Sequence, residues 1–214
     1  MFLSLLIRHL RQCWAFTLAA WFAALTSVLF VGEPVRYPGS VGLLITVWIH
    51  VAVMVMILGR SAPQGTGFLY SLGYTRDQLW WSALASTVIS AVLVCAGLWI
   101  ALTLGLRSWI QEMAGNPWYP LLKGRDAGLC WPMLTDYLWL IPAAHFIWIR
   151  SRVPSPDAGL SWLLGGGLIL LALVARDSAY REWNWGWITG WRVLLMGVLI
   201  AMCWRLHRNV EVRA

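Results

Sequence analysis

Charged residues are scarce in this sequence of 214 residues. Asp, Glu, Lys and Arg together make up 12% of the chain, whereas soluble domains carry roughly 25%. Hydrophobic residues make up 60%, and the 17 tryptophans add a residue type that is enriched where a bilayer meets water. This composition excludes an ordinary soluble domain and predicts an integral membrane protein.

Cysteine is also rare, and local chemical motifs are missing. The four cysteines lie far apart, with no Cys-x-x-Cys pair, which argues against a disulfide scaffold or a cysteine metal site. The chain has no GxxxxGK[ST] phosphate loop, no HExxH and no GxSxG, and its histidines do not cluster with carboxylates. We therefore expect no catalytic site, no metal and no cofactor in this chain.

What the sequence does contain is a series of long runs without charge. Crossing a hydrocarbon core of about 30 Å takes roughly 20 helical residues. We predict an all-α polytopic membrane protein with a single transmembrane domain over 1–214. Its six transmembrane helices are predicted at about 13–31, 41–59, 79–106, 129–149, 159–175 and 191–204.

The first twelve residues, MFLSLLIRHLRQ, are amphipathic. Leu3, Leu6, Ile7 and Leu10 share one helical face, and two arginines lie off it. A signal peptide would place its charges before the apolar core, whereas here they interrupt it. We predict an N-terminal interfacial helix that turns into the first span.

The stretch 60–81, RSAPQGTGFLYSLGYTRDQLWW, is the polar segment between the second and third spans. Its first part is rich in Pro, Gly and Ser, which is typical of a loop. Its second part, 68–81, has mostly helical spacing of leucine and tryptophan with Arg76 and Asp77 on another side. The pattern predicts either a short amphipathic helix on the membrane surface, running straight into the third span, or an ordinary connecting loop.

Six spans place both termini on one side, and the basic residues select the cytoplasm. That side receives nine of the 16 basic and three of the nine acidic residues, a net charge of +6, against +1 outside. Orientation thereby accounts for most of the formal charge of +7, so we expect no nucleic-acid partner. The expected location is the bacterial cytoplasmic (inner) membrane, with membrane lipid around the chain.

Three residues inside predicted spans have open roles. His50 and His145 could serve a proton relay or touch a substrate, because ionisable groups within a membrane are often functional. A neutral imidazole bonded to a neighbouring helix is favoured, since no carboxylate is expected at mid-membrane depth, where the one in these two spans, Asp136, is placed near the interface. Gly166, in the triplet 165–167, could allow close helix packing or a local break, with packing favoured.

The run WNWGW precedes the sixth span. Trp183, Trp185 and Trp187 predict an aromatic belt at the outer interface or a segment that re-enters the outer leaflet. Arg192 is then expected about one helical turn inside, paired with a carboxylate such as Glu182 or reaching outward to headgroups.

The chain resembles the permease subunits of type-2 ATP-binding-cassette (ABC-2 type) exporters. The resemblance lies in the N-terminal LLIRHLRQ, the six apolar runs and the segment LYSLGYTRDQLWW. Four-span permeases of the macrolide-exporter and cell-division type share a similar Thr-Arg-x-Gln-Leu segment. They carry a large extracytoplasmic domain between the first two spans, and the loop at 32–40 is far too short for one. The residues that match the coupling helix of the family are Gly73, Tyr74, Thr75, Arg76, Asp77 and Gln78.

The resemblance implies a division of work. A separate ABC-type ATPase subunit would bind ATP and Mg, and its closure would pass through the coupling segment into the helices of the permease. Two permeases, identical or different, would form the pathway and export substrate by alternating access. The alternative is a non-transporting structural or assembly subunit packed beside another permease, with an intramembrane enzyme as a third and less favoured class.

Overall fold

The computed structural model describes residues 2–29, 43–58, 73–106, 109, 113, 130–152, 167 and 185–208. Over this part of the chain it contains five α-helices and no strand, so the predicted all-α class is confirmed there. The contacts divide the chain into two compact units, Met1–Tyr137 (unit 1) and Leu138–Ala214 (unit 2).

Helix α1, Phe2–Leu29, is uninterrupted. The predicted N-terminal helix over residues 1–12 is therefore one continuous helix with the first predicted span, and its position at the interface stays a prediction. The physical reason lies in the sequence, because residues 2–29 contain neither Gly nor Pro to end or kink a helix. The predicted apolar face is not the packed one either: Leu3 is 64% exposed, whereas Leu5, His9 and Cys13 are buried at a spacing of four.

Helix α2 is Leu43–Leu58, close to the predicted span at 41–59. Helix α3 is Arg76–Thr103 and corresponds to the predicted span at 79–106. It ends before Gly105, whose φ of 74° is a left-handed conformation that glycine adopts without strain. The helix predicted over 68–81 is corrected over its described part, residues 73–81: Gly73 has a φ of 80° and Thr75 is extended, so within these residues the helix begins at Arg76. Residues 68–72 lie outside the described part.

Helix α4, Cys130–Arg152, covers the fourth predicted span and carries Pro142 in its interior. Helix α5, Trp185–Arg208, begins six residues before the span predicted at 191–204. The span predicted at 159–175 lies outside the described residues except for Gly167, which is helical.

Helices α1 and α3 run parallel to each other. His9 meets Ser82 and Thr17 meets Ser90, two contacts with the same separation of 73 residues. Helix α2 runs the opposite way: its residue His50 lies at the level of Ser90, while the later residues Met54 and Leu58 pack with Cys13. The starts of α1 and α3 therefore lie at the same end of unit 1.

One described helix is clearly long and apolar enough to cross a membrane, namely Asp77–Thr103 within α3. Two shorter apolar stretches fall below the length required, namely α2, Leu43–Leu58, and the part Met133–Ile149 of α4. The described residues thus contain one such helix rather than the six that were predicted.

Candidate functional site

The interior of unit 1 contains a series of polar side chains. Ser82, Ser86 and Ser90 follow each other at a spacing of four, so they share one face of α3, and each is at most 1% exposed. Ser82 and Ser86 donate to carbonyl groups of their own helix, those of Leu79 and Ser82 respectively. The other buried residues with polar or charged side chains in the described part of this unit are His9, Thr46, His50, Thr87, Thr135 and Asp136.

His50 is the centre of this polar interior. Its Nδ1 lies 2.7 Å from the hydroxyl oxygen of Tyr137, and its Nε2 lies 3.3 Å from Oγ of Ser90. The imidazole and phenol rings meet edge to face, with centroids 5.7 Å apart and an angle of 89°. His50 is thus bonded to α3 and to the start of α4 at once, as the favoured prediction of a hydrogen-bonded imidazole would have it.

Thr17 extends the contacts to α1. Its hydroxyl donates to the carbonyl oxygen of Cys13, at 3.1 Å, and is also hydrogen-bonded to Oγ of Ser90. Tyr137, His50, Ser90 and Thr17 therefore join four helices through consecutive hydrogen bonds. We refer to these four residues as the polar network.

A second polar contact links α1 and α3 nearer their starts. Nδ1 of His9 lies 3.3 Å from Oγ of Ser82, whose proton goes to the carbonyl oxygen of Leu79 at 2.9 Å. Since that proton is used, Nδ1 of His9 must donate to the Ser82 oxygen. Closer to the helix starts, the hydroxyl groups of Ser4 and Tyr74 lie 2.9 Å apart.

The predicted coupling residues surround the first turn of α3. The backbone N–H of Gln78 donates to Oγ1 of Thr75 at 3.2 Å, and the N–H of Thr75 donates to Oε1 of Gln78 at 3.1 Å. This capping box satisfies two backbone donors and fixes where the helix begins. Asp77 lies in the first turn, where the helix dipole favours a negative charge. Gly73 and Tyr74 lie before the cap, and Arg76 is the first helical residue.

At the other end of the α1–α3 contact lies a glycine that sequence reasoning missed. A Cβ on Gly97 would lie 2.6 Å from Nε1 of Trp21 and 2.7 Å from its Cδ1. Gly97 therefore allows the indole to lie directly against α3, which is the role of small residues in membrane helix packing. By contrast, a Cβ on Gly167 would meet nothing within 4 Å, and Gly166 lies outside the described residues.

In unit 2 the structure places two of the predicted residues in the interior. Arg192 is 0% exposed and lies two turns into α5. His145 is 5% exposed, and its Nε2 has no hydrogen-bond partner within the part of the chain that the structure describes. Trp185 and Trp187 belong to the first turn of α5, while Trp183 lies outside the described residues, so the interface prediction for this cluster stays a prediction.

The described side chains form no group of three or more His, Cys, Asp or Glu that could hold a metal ion. Cys13, Cys95 and Cys203 are buried and form no disulfide among the described residues. Comparison of the chain with protein-family models, with curated proteins and with solved structures gave no match.

Proposed function

We propose that the chain is the membrane-spanning permease subunit of an ATP-driven exporter of the type-2 ABC class, acting with a separate ATPase subunit. The observation that carries the proposal is that α3 has its polar side chains on the buried face and its apolar side chains on the exposed face. Its inner face carries Ser82, Ser86 and Ser90, whereas Val92 and Leu93 on its outer face are 51% and 57% exposed. Water would favour the reverse, and a lipid environment favours this arrangement.

Three other described helices, α1, α2 and α5, also expose large apolar side chains. Large apolar side chains point outward from α1, α2 and α5, among them Trp14, Phe22, Ile49 and Leu194, each more than half exposed. Exposed apolar area on this scale indicates contact with lipid or with other apolar helices. It supports the proposal of a membrane protein that has lipid as a neighbour.

The opposed directions of α1, α2 and α3 support the proposed topology. In a chain that crosses a membrane at each of these helices, the starts of α1 and α3 lie on one side, as their contact through Ser4 and Tyr74 requires. The excess of basic residues favours the cytoplasm for that side. The amino terminus and the segment Gly73–Gln78 then face the compartment in which an ATPase subunit would bind.

The start of α3 is suited to passing on a movement. The capping box makes Arg76 the first residue of a helix of 28 residues, which is about 42 Å long at 1.5 Å per residue. A displacement applied at its first turn moves the whole helix, because α3 contains no proline and its one glycine, Gly97, lies far from that end. In the proposed mechanism the partner ATPase supplies ATP, Mg and hydrolysis, and this chain contributes one of the two halves of the pathway.

The test combines co-purification with a charge reversal. We expect an ATP-binding subunit to co-purify from native membranes, and Arg76→Glu to abolish its stimulation by this chain while Arg76→Lys retains it. Reversal replaces attraction to acidic groups on the partner with repulsion. It does not weaken the helix, because an acidic residue in the first turn is favoured by about 0.3–1 kcal/mol through the helix dipole.

Two results would count against the proposal. Purification without an ATPase would favour a structural or assembly subunit instead. Full ATPase binding and stimulation by Arg76→Glu would mean that the segment around Arg76 is only a connecting loop.

A further inference from the structure

The polar network has a feature that decides what His50 can do: once the proton of Thr17 is assigned, the direction of every other hydrogen bond follows. The proton of the Thr17 hydroxyl is taken by the carbonyl oxygen of Cys13. The hydrogen bond between Thr17 and Ser90 must therefore be donated by Ser90. Ser90, having used its proton, must accept from Nε2 of His50.

The remaining ring nitrogen completes the series. With a proton on Nε2, a neutral His50 has a lone pair on Nδ1, which accepts from the Tyr137 hydroxyl at 2.7 Å. We infer that His50 is a positioning residue, held as the neutral Nε2–H tautomer. Its hydrogen bonds connect α2 to α3 and to the start of α4, and through Ser90 to α1. This inference rests on the contacts within unit 1 and does not depend on the proposed transport function.

The end of the series argues against a proton relay. A relay must release its proton to a group that can carry it onward, and the series ends instead on a backbone carbonyl oxygen, that of Cys13. None of the four side chains in the polar network is a carboxylate that could store a proton. Each donor already has an acceptor within the network or at Cys13, so the arrangement is complete as a connection between helices.

The network joins residues that are far apart in the chain. Tyr137 and His50 are separated by 87 residues, His50 and Ser90 by 40, and Ser90 and Thr17 by 73. In apolar surroundings a polar group left without a partner is unfavourable, so losing one member leaves its neighbours exposed to that penalty. The four residues should therefore respond to substitution as a unit.

The tautomer can be tested on the unaltered protein. The dipeptide Ile-His occurs once, at 49–50, so labelling the isoleucine carbonyl carbon together with all carbons and nitrogens of histidine connects the His50 ring signals to a unique backbone pair without a substitution. Solid-state NMR of the full chain in phosphatidylcholine bilayers should show Nε2 protonated and Nδ1 unprotonated. A proton on Nδ1, or on both nitrogens at neutral pH, would overturn the inference.

The fastening role is tested by combining substitutions on opposite sides of His50. Tyr137→Phe and Ser90→Ala should each lower the melting temperature in detergent, and the double variant should lose less than the sum of the two. Thr26→Val is the matched control, because Thr26 lies on α1 and donates only to its own helix, at Phe22. Its loss should be small and should add to that of Ser90→Ala. Additive losses for Tyr137→Phe and Ser90→Ala would show that the network does not act as a unit.

Discussion

Gly97 is the position where a single methyl group should test the packing of α1 on α3. In Gly97→Ala the new Cβ would lie 2.6 Å from Nε1 of Trp21, whereas apolar heavy atoms in contact lie about 3.5–4.0 Å apart. The indole is a rigid ring, so it must shift as a whole or α1 must move away. Overpacking of this kind typically costs about 1–3 kcal/mol.

The helix itself favours the same substitution, and this effect must be separated. Alanine is preferred over glycine in a helix by about 0.8–1 kcal/mol. Gly197 is the matched control, since it lies within α5 and a Cβ there would meet nothing within 4 Å. We expect Gly197→Ala to be neutral or stabilising and Gly97→Ala to be less stable than it by about 1–3 kcal/mol, because the backbone contribution cancels in the comparison.

The assay is thermal unfolding of the purified protein in detergent, with a third variant to identify the cause. Nε1 of Trp21 is buried and has no hydrogen-bond partner among the described residues. Trp21→Ala removes the whole indole, including the two atoms that the new methyl group would strike, so in that background Gly97→Ala should cost much less stability than it does beside Trp21. Equal melting temperatures for Gly97→Ala and Gly197→Ala would refute the close contact between Trp21 and α3.

Two further predictions concern the first turn of α3 and the topology. Thr75→Ala removes the oxygen that caps Gln78 and should destabilise the start of α3 by about 1 kcal/mol, seen as faster amide hydrogen exchange at Gln78, with Thr103→Ala at the far end of the helix as the control. Unchanged exchange at Gln78 would mean that the cap contributes nothing. A cysteine replacing Arg208 in a background without native cysteines should resist impermeant thiol reagents in intact cells, and labelling from outside would contradict cytoplasmic termini.

The sequence was most informative where a helix boundary has a local cause. The span predicted at 41–59 is the helix Leu43–Leu58, and the span at 79–106 is the helix Arg76–Thr103, because apolar composition and flanking polar residues act within a few positions. The start of α3 also has a local cause that is visible in the sequence. Thr75 followed three residues later by Gln78 is a capping-box pattern, which places the helix start after Thr75 rather than at 68.

Residues of the polar network could be predicted only in part. His50 stood out in sequence as an ionisable residue in an apolar run, and a hydrogen-bonded imidazole was the favoured interpretation. The spacing of Ser82, Ser86 and Ser90 was a further signal, since three serines on one face of a long apolar helix indicate the packed side. Tyr137 gave no signal, because it reaches His50 across 87 residues and only tertiary structure brings the two together.

The apolar face of the amino-terminal helix shows the limit of pattern reasoning. Leu3 and Ile7 belong to the predicted apolar face, and they are exposed, whereas the packed face includes the histidine at position 9. In water the apolar face is the buried one. A helix surrounded by lipid can turn its polar residues inward, so hydrophobic periodicity alone does not say which face meets the neighbouring helix.

The parallel pairing of α1 with α3 has a consequence for biosynthesis. Thr17 and Ser90 are 73 residues apart, and ribosomes add about 5–20 residues per second, so Ser90 is made about 4 to 15 s after Thr17. During that interval α1 has no α3 to cover His9 and Thr17, and α2, which follows it directly, supplies neither serine. Until the third helix is made, the first helix lacks the serines that pair with His9 and Thr17. A ribosome that stalls before residue 90 leaves Thr17 without Ser90.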